Sequence, residues 1–177
     1  MPHPMFSFHI ERLATPIGHM LVVSDQNDRL RALGWADLEE RLQRQLTAYY
    51  GSRFKLQSGP TSALVRNALH GYLEGKLDAI DAIPVETGGT AFQRSVWEEL
   101  RRIPAGVTLS YSELAKRIGR PKAVRAVGHA NGSNPIGVVV PCHRLIGSNG
   151  SLTGYGGGLE RKRWLLKHEA AARVGLI

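Results

Sequence analysis

The stretch TLSYSELAKRIGRPKAVRAVGHANG, residues 108–132, determines how the second half of this chain folds. Ser110 and Glu113 have the spacing of a capping box, in which each residue satisfies a backbone group of the other. This spacing predicts a helix that begins near Tyr111, and Gly119 is a suitable residue to end it.

Pro121 is suited to the first turn of a second helix, which we expect to run to about Asn131. Two short helices joined across IGRP form a helix-turn-helix, with an ordinary helical hairpin as the alternative. Helical spacing gives the second helix two sides. The side expected to be apolar consists of Val124, Val127 and Gly128, and the exposed basic side consists of Lys122, Arg125, Ala126 and His129.

The exposed side of this second helix is basic, but most of its side chains are short. Helices that read the major groove extend several long polar side chains to base edges, and Ala123, Ala126 and Ala130 cannot do so. Small residues instead allow the backbone to approach closely, which favours a shallow, sequence-indifferent fit in the minor groove.

Positive charge is concentrated in the second half of the chain. Residues 1–88 carry nine Lys or Arg and ten Asp or Glu, a net of −1, whereas residues 89–177 carry fourteen and five, a net of +9. Because Lys and Arg supply most of the sequence-independent affinity for phosphates, this excess indicates a nucleic-acid partner. A basic surface that serves only solubility is the alternative.

The first half of the chain predicts a small sheet with helices. Residues 8–35 alternate apolar or β-branched runs with turn residues, which predicts a meander of about three strands. Residues 78–89 combine Pro84 with two glycines where the charge changes, so the predicted domains are 1–86 and 87–177. Apolar residues at helical spacing predict helices at residues 37–50, 61–74 and 90–102.

Composition excludes several classes of protein. With 42% hydrophobic residues the 177-residue chain is globular, and no apolar stretch approaches the roughly 18 residues of a membrane span. No targeting signal is visible, so we expect a cytoplasmic protein. One cysteine and seven scattered histidines predict no disulfide and no metal site. The loop 147–158, GSNGSLTGYGGG, lacks the P-loop and dinucleotide-binding patterns, so no cofactor is expected.

The residues that carry chemistry follow the run Val138–Val140, which is typical of a buried strand ended by Pro141. A lone cysteine here, Cys142, could be a small buried hydrophobe. The adjacent His143 and Arg144 instead favour a thiol with a lowered pKa, ready to act as a nucleophile.

Glu169 is a candidate third member of this site. It lies three and four residues after Leu166 and Leu165, on the packed side of a predicted helix, where a carboxylate can orient an imidazole. Adjacent strand residues point to opposite sides, so Cys142 and His143 require either a turn of the chain or a bridging group. Tyr155 is expected to form an aromatic wall.

Four segments together closely resemble the O6-alkylguanine-DNA alkyltransferase family, most strongly its bacterial stand-alone form: GGTAFQRSVW at 88–97, RAVGHANGSNP at 125–135, PCHRLIG at 141–147 and TGYGGGLERKRWLLKHE at 153–169. The resemblance is dense over residues 85–170 and looser before them. It implies an α+β protein, with a small N-terminal domain of ribonuclease-H-like form and a mainly helical C-terminal domain that binds DNA.

The resemblance also implies a role for each matching residue. Cys142 accepts the alkyl group irreversibly, activated through a bridging water by His143, which Glu169 orients. Asn134 braces the helix-turn-helix, and Tyr111 supports proton donation to the guanine ring. Arg125 enters the base stack that the target nucleotide has left, with Lys122 and Ala126 beside it. The DNA backbone is contacted by Ser112, Arg120 and Ser148. The flipped base is read near Val140, Tyr155 and Gly156.

This sequence departs from the family pattern in two places. Gly156 stands where some relatives have serine, so one hydrogen bond to the substrate oxygen is expected to come from the backbone alone. The zinc ligands of some eukaryotic members are missing, and no further cysteine-rich module is present. Alkylthymine is a further candidate substrate, whereas a cysteine hydrolase and a non-catalytic DNA-binding protein are the alternative functions.

Overall fold

A computed structural model describes residues 6–175 and shows an α+β protein, as expected. The strands are β1 (Phe6–Thr15), β2 (Gly18–Asp25), β3 (Leu30–Trp35), β4 (Phe54–Ser58) and the short β5 (Leu109–Ser110) and β6 (Leu145–Ile146). The helices are α1 (Glu39–Tyr50), α2 (Ala63–Leu73), α3 (Ala91–Arg101), α4 (Tyr111–Arg117), α5 (Val124–Gly132) and α6 (Leu159–Arg173). Three 3₁₀ turns lie at Ala36–Leu38, Leu77–Ala82 and Cys142–Arg144. Among the described residues, none of the helices has the length and apolar character needed to cross a membrane.

The main sheet has the strand order β3-β2-β1-β4. Its first three strands form the predicted antiparallel meander. The fourth strand, which the sequence did not predict, pairs in parallel with β1, Phe6 opposite Phe54. Only alternate residues of β4 are partly buried, so its composition gives a weak strand signal.

Both faces of the sheet are buried because β2 contributes residues to each. Leu21 and Val23 pack with α1, in a cluster that includes Leu42 and Leu46. On the other face, the neighbouring β2 residue Val22 joins the larger core, which contains residues of both halves of the chain. The division at residues 86 and 87 therefore stays a prediction, as does the ribonuclease-H-like description of the sheet.

Helices α4 and α5 form the helix-turn-helix. The predicted capping box is present, since Ser110 Oγ accepts from Glu113 N at 3.1 Å and Glu113 Oε2 accepts from Ser110 N at 2.7 Å. The predicted start of the second helix at Pro121 is wrong. Ala123 N donates to Arg120 O at 2.9 Å, which places Pro121 inside a turn, and α5 begins three residues later.

The sides predicted for α5 are partly correct. Val127 is fully buried, while Lys122, Arg125, Ala126 and His129 are exposed. Val124, predicted to be packed, is 37% exposed because it is the first residue of the helix, and Gly128 is half-buried against the Tyr111 ring.

The strand predicted at Val138–Val140 is wrong, although all three valines are buried. Val139 N donates to Gly137 O and Val140 N to Ile136 O, so the backbone closes on itself in tight turns. Val138 has φ 68°, a left-handed conformation that costs a β-branched residue about 1–3 kcal/mol. A single bridge to β3, between Ile136 and Leu33, fixes where this segment lies.

Candidate active site

Cys142 begins a 3₁₀ turn at the floor of an open cavity of about 450 Å³. The thiol residue is 7% exposed. The cavity walls come from the helix-turn-helix, the glycine-rich loop and α1: Arg41, Tyr111, Gly128, Asn131, Gly132, Thr153, Gly154, Tyr155 and Gly156. Three predicted site residues, Tyr111, Tyr155 and Gly156, therefore surround Cys142.

The turn at Cys142 resolves the geometric problem of adjacent cysteine and histidine, because the chain leaves the extended conformation there. His143 points away from the cavity floor into the protein, where its Nε2 lies 2.7 Å from Glu169 Oε1. Both side chains are completely buried. The structure thus brings His143 and Glu169 together, as predicted, across 26 residues of sequence.

Glu169 is held as a carboxylate. Burial alone would raise the pKa of Glu169, but His143 and Arg144 lower that pKa well below its usual range. Arg144 donates to both carboxylate oxygens, at 2.8 Å to Oε1 and 3.1 Å to Oε2. The Tyr72 hydroxyl donates to Oε1 at 2.8 Å, and Gly106 N donates to Oε2 at 3.3 Å.

The ionisation of Glu169 determines which nitrogen of His143 carries the ring hydrogen. A carboxylate only accepts hydrogen bonds, so His143 Nε2 carries the ring hydrogen and Nδ1 has a free lone pair. His143 Nδ1 is buried and has no hydrogen-bond partner among the described residues. Burial lowers the pKa of His143, against the raising effect of Glu169, so the resting imidazole is neutral.

Asn134 connects the helix-turn-helix to the turns before Cys142. Its Nδ2 donates to Val140 O at 2.8 Å, and its Oδ1 accepts from Ile136 N at 2.9 Å. Asn131, which the sequence did not single out, donates from Nδ2 to Cys142 O at 3.4 Å, and its Oδ1 has no partner within residues 6–175.

The lowered thiol pKa expected from the sequence is not found. Burial raises the pKa of Cys142, although the Asn134 side chain and the charges of Lys162 and Arg41 act in the opposite direction. Arg144, which was expected to supply positive charge, is instead paired with Glu169. The free protein therefore holds a neutral thiol.

Lys162, a fully buried residue of α6, holds the glycine-rich loop in place. Its Nζ donates to Leu145 O, just before the loop, at 2.6 Å and to Thr153 O, within the loop, at 3.1 Å. The Tyr155 hydroxyl is buried without a partner in the described chain, and burial raises its pKa well above the usual value. A Cβ at Gly156 would lie 2.5 Å from the Arg41 guanidinium, so this glycine lets α1 approach the cavity.

The residues predicted to contact DNA do not line the cavity, and most of them are exposed on the protein surface. Arg120, Lys122, Arg125 and Ala126 are exposed on the turn before α5 and on α5 itself, and Ser148 is exposed on the glycine-rich loop. Ser112 is half-buried at the start of α4, with its Oγ 3.1 Å from Ser110 Oγ. Tyr111 lies between this surface and Cys142, its hydroxyl 2.8 Å from Thr153 Oγ1.

Two further residues of the candidate site were not found from the sequence. Tyr72 and Arg41 belong to helices of the N-terminal half, and their only signal was a place on an amphipathic helix. No group of three or more His, Cys, Asp or Glu residues suited to a metal ion occurs in the part of the chain that the structure describes.

Fold and site together define a helix-turn-helix protein with a cysteine at the base of a cavity and a buried histidine-glutamate pair behind it. Residues 91–171 match the family model of the 6-O-methylguanine DNA methyltransferase DNA-binding domain. The chain is 49% identical over 160 residues to the methylated-DNA–protein-cysteine methyltransferase of Shigella flexneri, covering 90% of this chain and 94% of that one. Identity to the Haemophilus influenzae protein of the same name is 41% over 155 residues, 88% of this chain and 82% of that one.

Solved structures agree with this match. The crystal structure of Mycobacterium tuberculosis OGT in complex with DNA has a TM-score of 0.76 and 37% identity, with 94% of each chain covered. An O6-methylguanine-DNA methyltransferase from Pyrococcus kodakaraensis has a TM-score of 0.68 and 27% identity, covering 92% of this chain and 98% of that one. This chain belongs to the methylated-DNA–protein-cysteine methyltransferase family. The predicted family and DNA-repair function are confirmed, and neither alternative function is favoured.

Proposed function

We propose that Cys142 takes the alkyl group from O6-alkylguanine in DNA and keeps it. The observation that carries this assignment is the neutral His143, whose Nε2 is bound to an ionised Glu169 while its Nδ1 stays free. An imidazole in this state can accept one proton, and the thiol of the preceding residue, Cys142, has one to give. O4-alkylthymine is a second substrate that the same chemistry would accept.

In the reaction, the Cys142 thiol gives its proton through a bridging water to His143 Nδ1, and the resulting imidazolium is stabilised by Glu169. The thiolate attacks the alkyl carbon in line, the sulfur–carbon bond forms, and the carbon–O6 bond breaks. Its electron pair stays on guanine, which takes up a proton with support from Tyr111. The product is a thioether, which has no thiol left, so each molecule acts once and needs no methyl-donor cofactor.

Transfer of the proton at the moment of attack suits the raised pKa of the Cys142 thiol. A permanently charged thiolate in this buried place would be costly, and a neutral pair avoids that cost until substrate is bound. Asn134 supports the step by fixing Val140 O, which also accepts from Cys142 N at 2.8 Å and so holds the start of the turn that carries the thiol. The flipped base is read by the backbone near Val140, Tyr155 and Gly156.

DNA is bound through the exposed basic surface of the helix-turn-helix, which we place in the minor groove. On the exposed face of α5 the side chain of Ala126 is short, which permits close approach of the helix to the duplex. The O6 alkyl group lies inside the base stack, so the target nucleotide must be flipped into the cavity, and Arg125 fills the gap it leaves. Arg120, Lys122, Ser112 and Ser148 hold the DNA backbone.

One chain supplies every residue of this proposed site, so no obligate protein partner is invoked. We further propose the division into residues 1–86 and 87–177, with the N-terminal part as a structural domain. The substrate, chromosomal DNA, lies in the cytoplasm of bacteria, which is the location that we propose.

The test is the intact mass of the protein after mixing with a short duplex that contains one O6-methylguanine. We expect a gain of one methyl group per molecule, ending when lesion and protein are equimolar. Cys142→Ala and an undamaged duplex are the controls and should give no gain. A DNA-binding module without chemistry would leave both lesion and mass unchanged, and a cysteine hydrolase would turn over an activated ester many times; either result contradicts the proposal.

A further inference from the structure

Tyr72 of α2 reaches the buried pair from the N-terminal half of the chain. Its hydroxyl lies 2.8 Å from Glu169 Oε1, and the same oxygen is 2.7 Å from His143 Nε2. Tyr72 is completely buried, as are the other two side chains. Because Arg144 NH2 also donates to Oε1, at 2.8 Å, three buried residues share this one acceptor atom.

The position of Tyr72 is fixed at both ends. His168, the neighbour of Glu169 in α6, lies with its Nε2 2.7 Å from Tyr72 O, and the two rings meet edge to face with centroids 5.3 Å apart. His168 in turn stacks on Trp164. Helix α2 is thus attached to two consecutive residues of α6, which holds the hydroxyl on the carboxylate rather than leaving it free to rotate.

We propose that Tyr72 is a positioning residue for alkyl transfer, whose hydroxyl sets how strongly Glu169 holds His143 by donating to the same carboxylate oxygen. This inference rests on the proposed function of His143. Each hydrogen bond that an oxygen accepts weakens its attraction for the next donor, so the phenol reduces the basicity that Glu169 confers on the imidazole.

Tyr72 remains a donor throughout the working range, because burial and the neighbouring Glu169 raise its pKa well above the usual value. The other charged groups that act on His143 are Glu169, Arg144 and Lys162. Glu169 stays ionised because its pKa lies well below its usual range, and Lys162 is bound to two carbonyls, so His143 is the group whose titration Tyr72 adjusts.

The sign of the effect follows from the proton balance. Removal of the Tyr72 hydroxyl strengthens the bond from Glu169 to His143, which favours imidazolium and raises the pKa of His143. The reaction needs His143 neutral before the thiol gives up its proton, so the acid limb of the rate profile moves to higher pH. A merely structural loss would lower the rate by the same factor at every pH.

The experiment measures the rate of methyl transfer in the full-length chain, with protein in excess over the lesion duplex and DNA binding saturated, from about pH 5 to about pH 9. For Tyr72→Phe we expect the acid limb to shift upward by at most about one to two pH units, which is the size of a hydrogen bond to a charged group. The matched control is Tyr49→Phe, which also loses a hydroxyl from the N-terminal half, bound at 2.6 Å to Ser133 O, and should leave the limb in place.

A second variant keeps the test decisive if Tyr72→Phe fails to fold. Site-specific 3-fluorotyrosine at position 72 is a stronger donor, so the limb should move to lower pH. The inference would be overturned if the acid limb lay at the same pH in the wild type and both Tyr72 variants. It would also be overturned if Tyr49→Phe shifted the acid limb as far as Tyr72→Phe does. His143→Gln separates failure of the proposed proton route from failure of the role of Tyr72. If His143→Gln retains the acid limb of the wild type, the proposed proton route is wrong. If His143→Gln loses the acid limb while the Tyr72 variants leave theirs in place, only the role of Tyr72 is wrong.

Discussion

Substitution of Glu169 by Gln should strongly destabilise the fold, because it leaves the Arg144 guanidinium buried without a counterion. Arg144 is 3% exposed, and three of its contacts are to the Glu169 carboxylate. The only other bond made by this guanidinium within residues 6–175 is NH1 to Ile103 O, at 2.6 Å. Removal of one partner of such a buried pair costs about 3–5 kcal/mol of unfolding free energy.

For a chain of this length, each kcal/mol lowers the melting temperature by about 2–4 °C, so the loss should be roughly 6–20 °C. Urea unfolding at neutral pH, followed by tryptophan fluorescence, measures the free energy, and a thermal melt measures the midpoint. Glu160→Gln is the control, since that side chain is 92% exposed and, among the described residues, forms its one ion pair with Arg163 at the surface. Its unfolding midpoint should remain close to that of the wild type.

The double variant Glu169→Gln with Arg144→Met tests the cause. If the isolated charge is what destabilises Glu169→Gln, removal of that charge should restore about half of the lost stability or more, since a buried pair can often be replaced by apolar groups at little cost. A double variant that is less stable than Glu169→Gln alone would refute the reasoning and show that the carboxylate acts through packing or through its other donors.

Three further outcomes are expected. Asp25→Asn should destabilise the protein at neutral pH. Burial alone would raise the pKa of Asp25, but hydrogen bonds with Arg31 and with Arg29 lower that pKa. The stability that Asp25 contributes is therefore present above the unfolded-state pKa of about 3.9 and is lost as the pH falls below that value. Urea unfolding at neutral and acid pH checks that the difference between variant and wild type narrows in acid. S-methylation of Cys142 should lower the melting temperature, since this side chain is only 7% exposed and an added carbon against its packed neighbours costs about 1–3 kcal/mol; an unchanged melt after reaction would contradict this. Ser110→Ala removes the cap of α4 and should cost about 0.5–2 kcal/mol in urea unfolding, whereas Ser110→Thr should retain most of it.

Local signals in the sequence predicted most of the helices. The reciprocal cap at Ser110 and Glu113 depends on residues three apart, so it could be read directly, and α4 begins where it predicts. The helical spacing of leucines placed α1 and α2 within two residues of their observed bounds. Glu169 was placed on a packed face by the same spacing, and it is fully buried.

Predictions failed where distant residues decide the conformation. Val138–Val140 has the composition of a strand, yet Ile136 bridges to Leu33 and the valines close into turns that no local pattern encodes. Strand β4 exists because β1 offers it a parallel partner, a pairing that joins residues 48 apart at Phe6 and Phe54.

By itself, therefore, the sequence determined the class of protein, the helix-turn-helix and the candidate reactive residues, because short motifs and the excess of charge carry that information. The tertiary structure alone decided their chemical states. Burial made Cys142 a thiol rather than a thiolate, His143 and Arg144 hold Glu169 as a carboxylate, and a phenol donates to that carboxylate. The phenol belongs to Tyr72, 97 residues away in the chain, and only packing of α2 on α6 brings the two groups together, since desolvation and long-range contact have no signature in a local pattern.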